Sequence, residues 1–274
     1  MNVLTLNTHS WMEEKDQQQI EVLAQRIAKA DYDLVGLQEV NQLIASPLAK
    51  IDEYFQATDD QQAIHQDNFL FCLTEKLKEL GCRYYWSWTY NHIGYDIYHE
   101  GLGLLSKTPL KTASQLISES SDPNNYLTRR ALIGETIIKG QNVIVVSSHF
   151  SWWQSKKKAF AYEWRVLEKR LESMQGSLVV MGDFNNPAQI MGEGYDLVCK
   201  SSLELQDAFK VAESKYGENT VEKAIDGWDG NTAKLRIDYI FTTQGAKIEN
   251  YQVVFDGKNE AVISDHYGVG VLMD

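Results

Sequence analysis

Six short apolar runs in this chain end against, or enclose, a residue able to bind a metal or move a proton. No other feature constrains the fold as much. Residues 3–6 run into Asn7, 34–37 into Glu39, 143–146 into His149, and 178–181 into Asp183 and Asn185. Asp238 interrupts the run 235–241, and Asp265 with His266 precedes 269–273. Runs this short fit buried strands better than helices. A polar group inside an apolar layer is costly unless it is paired. Polar groups that recur at strand ends are therefore expected to meet at one edge of packed sheets.

The remaining patterns fill in that outline. Helical spacing marks 17–30, through Ile20, Leu23, Ala24 and Ile27, and 68–80, stopped by Gly81. A third helix is expected over 155–173, capped by Ser155, with Phe160, Trp164, Leu167 and Leu171 on its apolar face. Further strands are expected at 84–90, 101–106, 110–117, 131–138 and 251–255, while 41–67, 188–204 and 219–233 read as irregular. Strands outnumber helices and are joined mostly by short turns. That predicts an α/β (α+β) sandwich, two packed sheets with helices outside, in one domain over 1–274.

Composition excludes other classes. With 43% hydrophobic and 23% charged residues the chain is neither disordered nor a membrane bundle, and no apolar run is long enough for a span. The first residues lack the basic and apolar segments of an export signal. Three scattered cysteines without a CxxC pair suit a reducing, cytoplasmic compartment. The balance of 26 basic against 38 acidic residues gives 26 − 38 = −12, unlike a protein that holds nucleic acid chiefly by its field.

The residue types point to a reaction class. Asn, Asp and Glu are hard oxygen donors suited to magnesium or manganese. Histidines supply acid–base chemistry near neutrality. No G-x-S-x-G elbow or glycine-rich phosphate loop is present. The set describes a metal that activates water and an environment that stabilises an anionic transition state.

Four motifs carry a family resemblance. Leu37-Gln38-Glu39-Val40, Gly182-Asp183-Phe184-Asn185, Arg236-Ile237-Asp238-Tyr239-Ile240 and Ser264-Asp265-His266-Tyr267 follow one another with Asn7 at the end of the first strand. In that order they resemble the endonuclease/exonuclease/phosphatase superfamily. The resemblance implies a four-layer sandwich and a magnesium- or manganese-dependent phosphoesterase. It implies that Glu39 binds the metal, with Asn7 and Asp265 assisting. It implies that Asp183 orients or deprotonates water and that Asn185 contacts phosphate or water. By the same resemblance His266 stabilises developing charge with Asp238 holding its ring, and His149 is a second catalytic histidine. Glu100 resembles the carboxylate partnered with that histidine in deoxyribonuclease-like members, whereas exonuclease-III-like members place a tyrosine there; Tyr95 and Tyr98 are nearby.

Substrate contacts are expected from Arg130, beside Arg129, and from Trp152 and Trp153, which follow His149. Lys156, Lys157 and Lys158 oppose the dipole of the helix they open and are either solvated or a lure for anions. Trp228 lies in a turn-rich loop, His9 reads as structural, and His65 and His92 have no supporting pattern. The expected substrate is a small or lipid-linked phosphoester. A nuclease is the second reading, and a catalytically silent binding module the third. An oxygen-only ligand set predicts that activity requires added Mg²⁺ or Mn²⁺. Hydrolysis undiminished by exhaustive chelation would remove the metal from the scheme.

Overall fold

Strands that are apolar at consecutive positions must be covered on both faces, and β1 (Asn2–Asn7) and β2 (Leu34–Gln38) are of that kind, buried almost throughout. In the computed structural model, residues 1–13, 16–153, 159–225, 227, 228, 230 and 232–274 are described. The other strands are β3 (Gln42–Leu43), β4 (Tyr85–Gly94), β5 (Tyr98–Ser106), β6 (Lys111–Leu116), β7 (Arg130–Ile138) and β8 (Gln141–His149). They continue with β9 (Ser177–Asp183), β10 (Leu205–Asp207), β11 (Ser214–Tyr216), β12 (Asp238–Thr243), β13 (Ile248–Val254) and β14 (Gly268–Met273). The helices are α1 (Asp16–Ala30), α2 (Phe69–Glu79), α3 (Ala159–Glu172), α4 (Gly194–Cys199) and α5 (Ala208–Val211).

Two mixed sheets result. An eight-stranded sheet runs β11-β13-β14-β1-β2-β5-β3, with β4 also on β5. A six-stranded sheet runs β10-β12-β9-β8-β7-β6. Side chains alternate across each strand, so the same strands serve two cores. Val3, Leu34, Leu104, Val145, Val179 and Met181 meet between the sheets. Leu4, Leu6, Val35 and Leu37 turn the other way, onto Ile20, Leu23 and Ile27 of α1 and Leu70, Leu73 and Leu77 of α2. Ile144, Val146, Val180 and Phe241 turn outward onto Phe160, Trp164 and Leu167 of α3. The order is helix, sheet, sheet, helix, an α+β sandwich. No described helix is long and apolar enough to cross a membrane.

Local chemistry accounts for the helix limits. Asn68 caps α2 by accepting from Phe71 N at 3.1 Å. Gly81 (φ +79°) ends it, with Cys82 N on Leu77 O at 2.9 Å and Gly81 N on Lys78 O at 3.0 Å.

Several boundaries differ from expectation. The stretch 188–204 contains α4, and the short strands β10 and β11 had no signal. The run 235–241 is not one strand: Leu235 makes only an isolated bridge to Val221, and β12 starts at Asp238. Asp238 therefore opens a strand instead of interrupting one. Ser155 and lysines 156–158 lie outside the described residues.

The second sheet positions the chemistry through β9. It runs parallel to β8, pairing Ser148 with Gly182 and His149 with Asp183, and antiparallel to β12, pairing Asp238 with Asp183. Gly182 permits this. Its φ is +139°, and a Cβ would lie 1.9 Å from the Ser148 carbonyl oxygen. Gly182→Ala is therefore expected to cost at least about 2 kcal/mol in urea unfolding. Gly140→Ala, also at positive φ but with nothing within 4 Å of its Cβ, should cost about 1 kcal/mol. Equal losses would mean that the close approach of β8 is not what selects glycine.

Candidate active site

Strand ends of both sheets meet at one edge, and Asn7 joins them. Asn7 ends β1, and its Nδ2 donates to Glu39 Oε1 at 2.8 Å and to Asp183 Oδ2 at 3.1 Å. Its Oδ1 accepts from His9 N at 3.2 Å. Four residues around the site hold left-handed backbone, His9 (φ +43°), Glu39 (φ +51°), Tyr95 (φ +50°) and Asn185 (φ +49°). Non-glycine residues rarely sit there, and such strain concentrates at functional sites. At Glu39 it falls immediately after β2 ends; at Asn185 it follows a turn in which the backbone N donates to Asp183 Oδ1 at 2.8 Å.

On the β9 side, Asp183, Asp238 and His266 form a compact buried group. His266 Nδ1 is 2.9 Å from Asp238 Oδ2, and its Nε2 is 3.7 Å from Asp183 Oδ2. Burial disfavours charge on this ring, but Asp238 and then Asp183 outweigh it and hold the pKa well above the ordinary histidine value. His266 is an imidazolium at neutral pH. His149 is the opposite case. Burial, reinforced by Arg129, pushes it well below that value, so it is neutral. Asp183, raised to about 7 chiefly by burial and further by Asp238, can exchange a proton near neutrality.

Glu100 lies on β5, opposite His92 on β4. Burial alone would raise its pKa, but His92, followed by Arg129 and His149, holds it at about 2. Arg129 Nη1 is 3.5 Å from Glu100 Oε1 and 3.4 Å from His149 Nδ1. Glu100 and His149 are themselves 3.9 Å apart, beyond hydrogen-bond range, so the expected pairing is relayed through Arg129.

These groups surround a cavity of about 530 Å³. Glu39, Glu100, Asp183 and Asp265 place carboxylates in its wall, and Arg129 is the one Lys or Arg among its described lining residues. Tyr95, Tyr126 and Trp152 also line it. A second chamber of about 520 Å³ adjoins, sharing Tyr126, Trp152, Asn185 and Gly227 and adding Trp153, Ile190 and Trp228.

Of the residues singled out from sequence, Glu39, Glu100, His149, Trp152, Asp183, Asn185, Asp265 and His266 all line the first cavity; Asn7 and Asp238 stand behind it. Trp153 faces only the second chamber, with its ring 6.5 Å from Phe160. Arg130 is a correction. Its Nη1 meets Asp60 Oδ2 at 2.6 Å and Ser114 Oγ at 2.9 Å, away from the cavity. Adjacent residues in extended chain face opposite ways, and it is Arg129 that points inward. His9, read as structural, has its Nδ1 3.0 Å from Glu13 and 3.7 Å from Asp265, at the border of the acidic group. The sequence offers no pattern for His92. A histidine facing a glutamate across a hairpin was the available signal for it, but a bulge between Tyr90 and His92 hid the register. Trp228, noted in its turn-rich loop, reaches the site: its Nε1 donates to Asn185 Oδ1 at 2.9 Å.

The donor set fits a hard divalent cation. Glu39 is pushed up to about 8, first by burial and then by Glu100 and Asp265. Asp238 Oδ1 is buried without a hydrogen-bond partner among the described residues, and Glu100 Oε1 has only ion pairs, the nearest with Arg129 at 3.5 Å. Oxygen donors crowded against like charge suit such an ion, and no thiol is among them.

A pH dependence follows. Glu39 and Asp183 hold protons up to about 8 and about 7 in the fold but release them in the ordinary carboxylate range when unfolded. Their contribution to stability is complete below that range and is lost as pH rises through the folded values. A cation held by the ionised carboxylates restores it. The cation-induced rise in melting temperature should be small at roughly pH 5 and large at roughly pH 8. Glu39→Gln should raise the melting temperature in chelator at the higher pH and abolish most of the cation shift. Equal shifts at both pH values would contradict this.

The whole molecule superposes on known structures. It is similar to an endonuclease/exonuclease/phosphatase family protein from Leptotrichia buccalis C-1013-b, with TM-score 0.87 and 29% identity over 100% of this chain and 99% of that one. The mannosyl-6-phosphatase Bt3783 of Bacteroides thetaiotaomicron VPI-5482 gives TM-score 0.69 at 18% identity, over 100% and 99% of the two chains. Truncated TDP2 of Caenorhabditis elegans gives 0.66 at 15%, over 99% and 96%. At those identities the last two share the fold alone. Among curated proteins none matches. The family model for endonuclease/exonuclease/phosphatase proteins matches residues 11–266 of the 274. With its motifs gathered at the meeting edge of two sheets, the chain belongs to the endonuclease/exonuclease/phosphatase family.

Proposed function

We propose that the protein is a magnesium-dependent phosphoesterase that hydrolyses a small or lipid-linked phosphoester. The observation that carries this reading is the Asp183–His266–Asp238 group facing Glu39 across the Asn7 amide. Bound by Glu39 and Asp265 beside Asn7, magnesium would neutralise charge on the phosphate and polarise it toward attack. Asp183 takes a proton from water as the water oxygen bonds to phosphorus, and the opposite ester bond breaks in line. The departing oxygen is protonated by solvent. His266 meets the charge that develops on the phosphoryl oxygens through Nε2–H, and Asn185 donates from its amide. Arg129, held by Glu100 against His149, adds a fixed positive charge.

The choice of substrate class rests on what surrounds that centre. A duplex-tracking nuclease neutralises several phosphates, and its affinity falls steeply with salt. Arg129 alone supplies a permanent cation among the described residues of the cavity wall. The adjoining chamber instead presents Trp152, Trp153, Trp228, Tyr126 and Ile190. Such a wall suits an apolar or planar organic group attached to the phosphate.

A panel of phosphoesters with purified protein and magnesium tests the reading. It includes a chromogenic diester and monoester, a sugar phosphate, an inositol phosphate, sphingomyelin, DNA and RNA. Asp183→Ala and His266→Ala should each lower kcat by about 10²–10⁴-fold with little change in KM. Trp152→Ala should lower kcat/KM on the preferred substrate by roughly 5- to 150-fold, and much less on the small diester. Losses under about tenfold for both acid–base variants would misplace the site. Preference for DNA with a steep salt dependence would support the nuclease reading instead.

A further inference from the structure

We propose that Trp228 is a positioning residue for Asn185: its indole N–H dictates which end of the Asn185 carboxamide faces the reacting phosphate. Asn185 Oδ1 accepts from Trp228 Nε1 at 2.9 Å, while Nδ2 donates to the Phe150 carbonyl at 3.0 Å. An indole N–H can only donate and a carbonyl can only accept. Rotating the amide by half a turn would set donor against donor and acceptor against acceptor. The carboxamide is therefore locked with its two hydrogens on the Phe150 carbonyl and His149 Nε2, and a phosphoryl oxygen that approaches Nδ2 shares the one on His149.

The lock extends one residue further. Asn185 Nδ2 is 3.1 Å from His149 Nε2, and Arg129 Nη1 is 3.4 Å from His149 Nδ1, so a donor faces each nitrogen of that ring. Trp228 thereby sets the orientation of one group and the contact it makes with the next.

Trp228 is itself well anchored. Its backbone N bonds Ile225 O at 3.0 Å, and its ring packs on Val221, Ile225, Leu235 and Ile237, a small cluster apart from the main cores. The preceding Gly227 (φ +78°) lies so close to Trp152 that a Cβ there would be 2.0 Å from the indole. The same tryptophan lines the second chamber, so the group that fixes Asn185 also meets the organic part of the substrate.

Trp228→Phe keeps the ring and deletes the donor. It should lower kcat on a small chromogenic diester about five- to tenfold while KM stays within about twofold. In an Asn185→Ala background the same change should alter kcat by less than about twofold, because a residue acting through Asn185 has nothing left to position. Side-chain ¹⁵N spectra of the unmodified protein should show the Trp228 indole proton protected from exchange, and Trp228→Phe should broaden the Asn185 amide pair. An equal kcat loss in both backgrounds overturns the proposal. So does a freely exchanging Trp228 indole proton in the unmodified protein, which decides the matter even if Trp228→Phe fails to fold. Only the kinetic arm rests on the phosphoesterase reading. Unmodified protein inactive on every ester would sink that reading and leave the spectra to judge Trp228.

Discussion

The carboxamide of Asn7 donates to Glu39 on one side and to Asp183 on the other, and this bridge fixes how the polar edges of the two sheets face each other. Without it, two buried carboxylates would confront one another across the cleft. An unpaired buried charge costs far more than a hydrogen bond contributes. The bridge works because β1 and β9 each place one residue at the edge and because the Val3–Met181 layer between the sheets keeps the separation constant. Stability and chemistry are coupled at this point.

Around that bridge the charges are sorted rather than neutralised. Glu39, Glu100, Asp183 and Asp265 stand against one permanently charged side chain, Arg129. The two histidines divide by neighbour. His266 lies between Asp238 and Asp183 and is charged; His149 lies against Arg129 and is neutral. The same residue type is thus held charged at one place and neutral at another. The surplus of carboxylate would suit a divalent cation and gives the fold its expected loss of stability with rising pH.

Much of this could be read from the chain. An apolar run of four residues followed by Asn, Glu, His or Asp has few structural solutions, and strand ends at one sheet edge are the simplest. The family motifs then ordered Glu39, Asp183, Asp238 and His266 around one centre. What misled was direction. Arg129 and Arg130 are neighbours with one chemistry, but extended backbone sends one inward and pairs the other with Asp60. His9 carried no pattern because its neighbours Glu13 and Asp265 are separated in sequence by almost the whole chain.

The sequence by itself determined most of the longer strands, the helix faces, the helix stop at Gly81 and the carboxylate and histidine inventory, because each depends on local periodicity, local backbone freedom or residue chemistry. Only the tertiary structure decided which donors touch. The relay from Glu100 through Arg129 to His149, the facing of His92 and Glu100 across a bulged hairpin, and the Trp228 N–H on Asn185 all require register and loop path. A one-residue slip in register reverses every side chain on a strand. No local pattern in the sequence encodes that choice; it is made when burial of both faces of both sheets is satisfied at once.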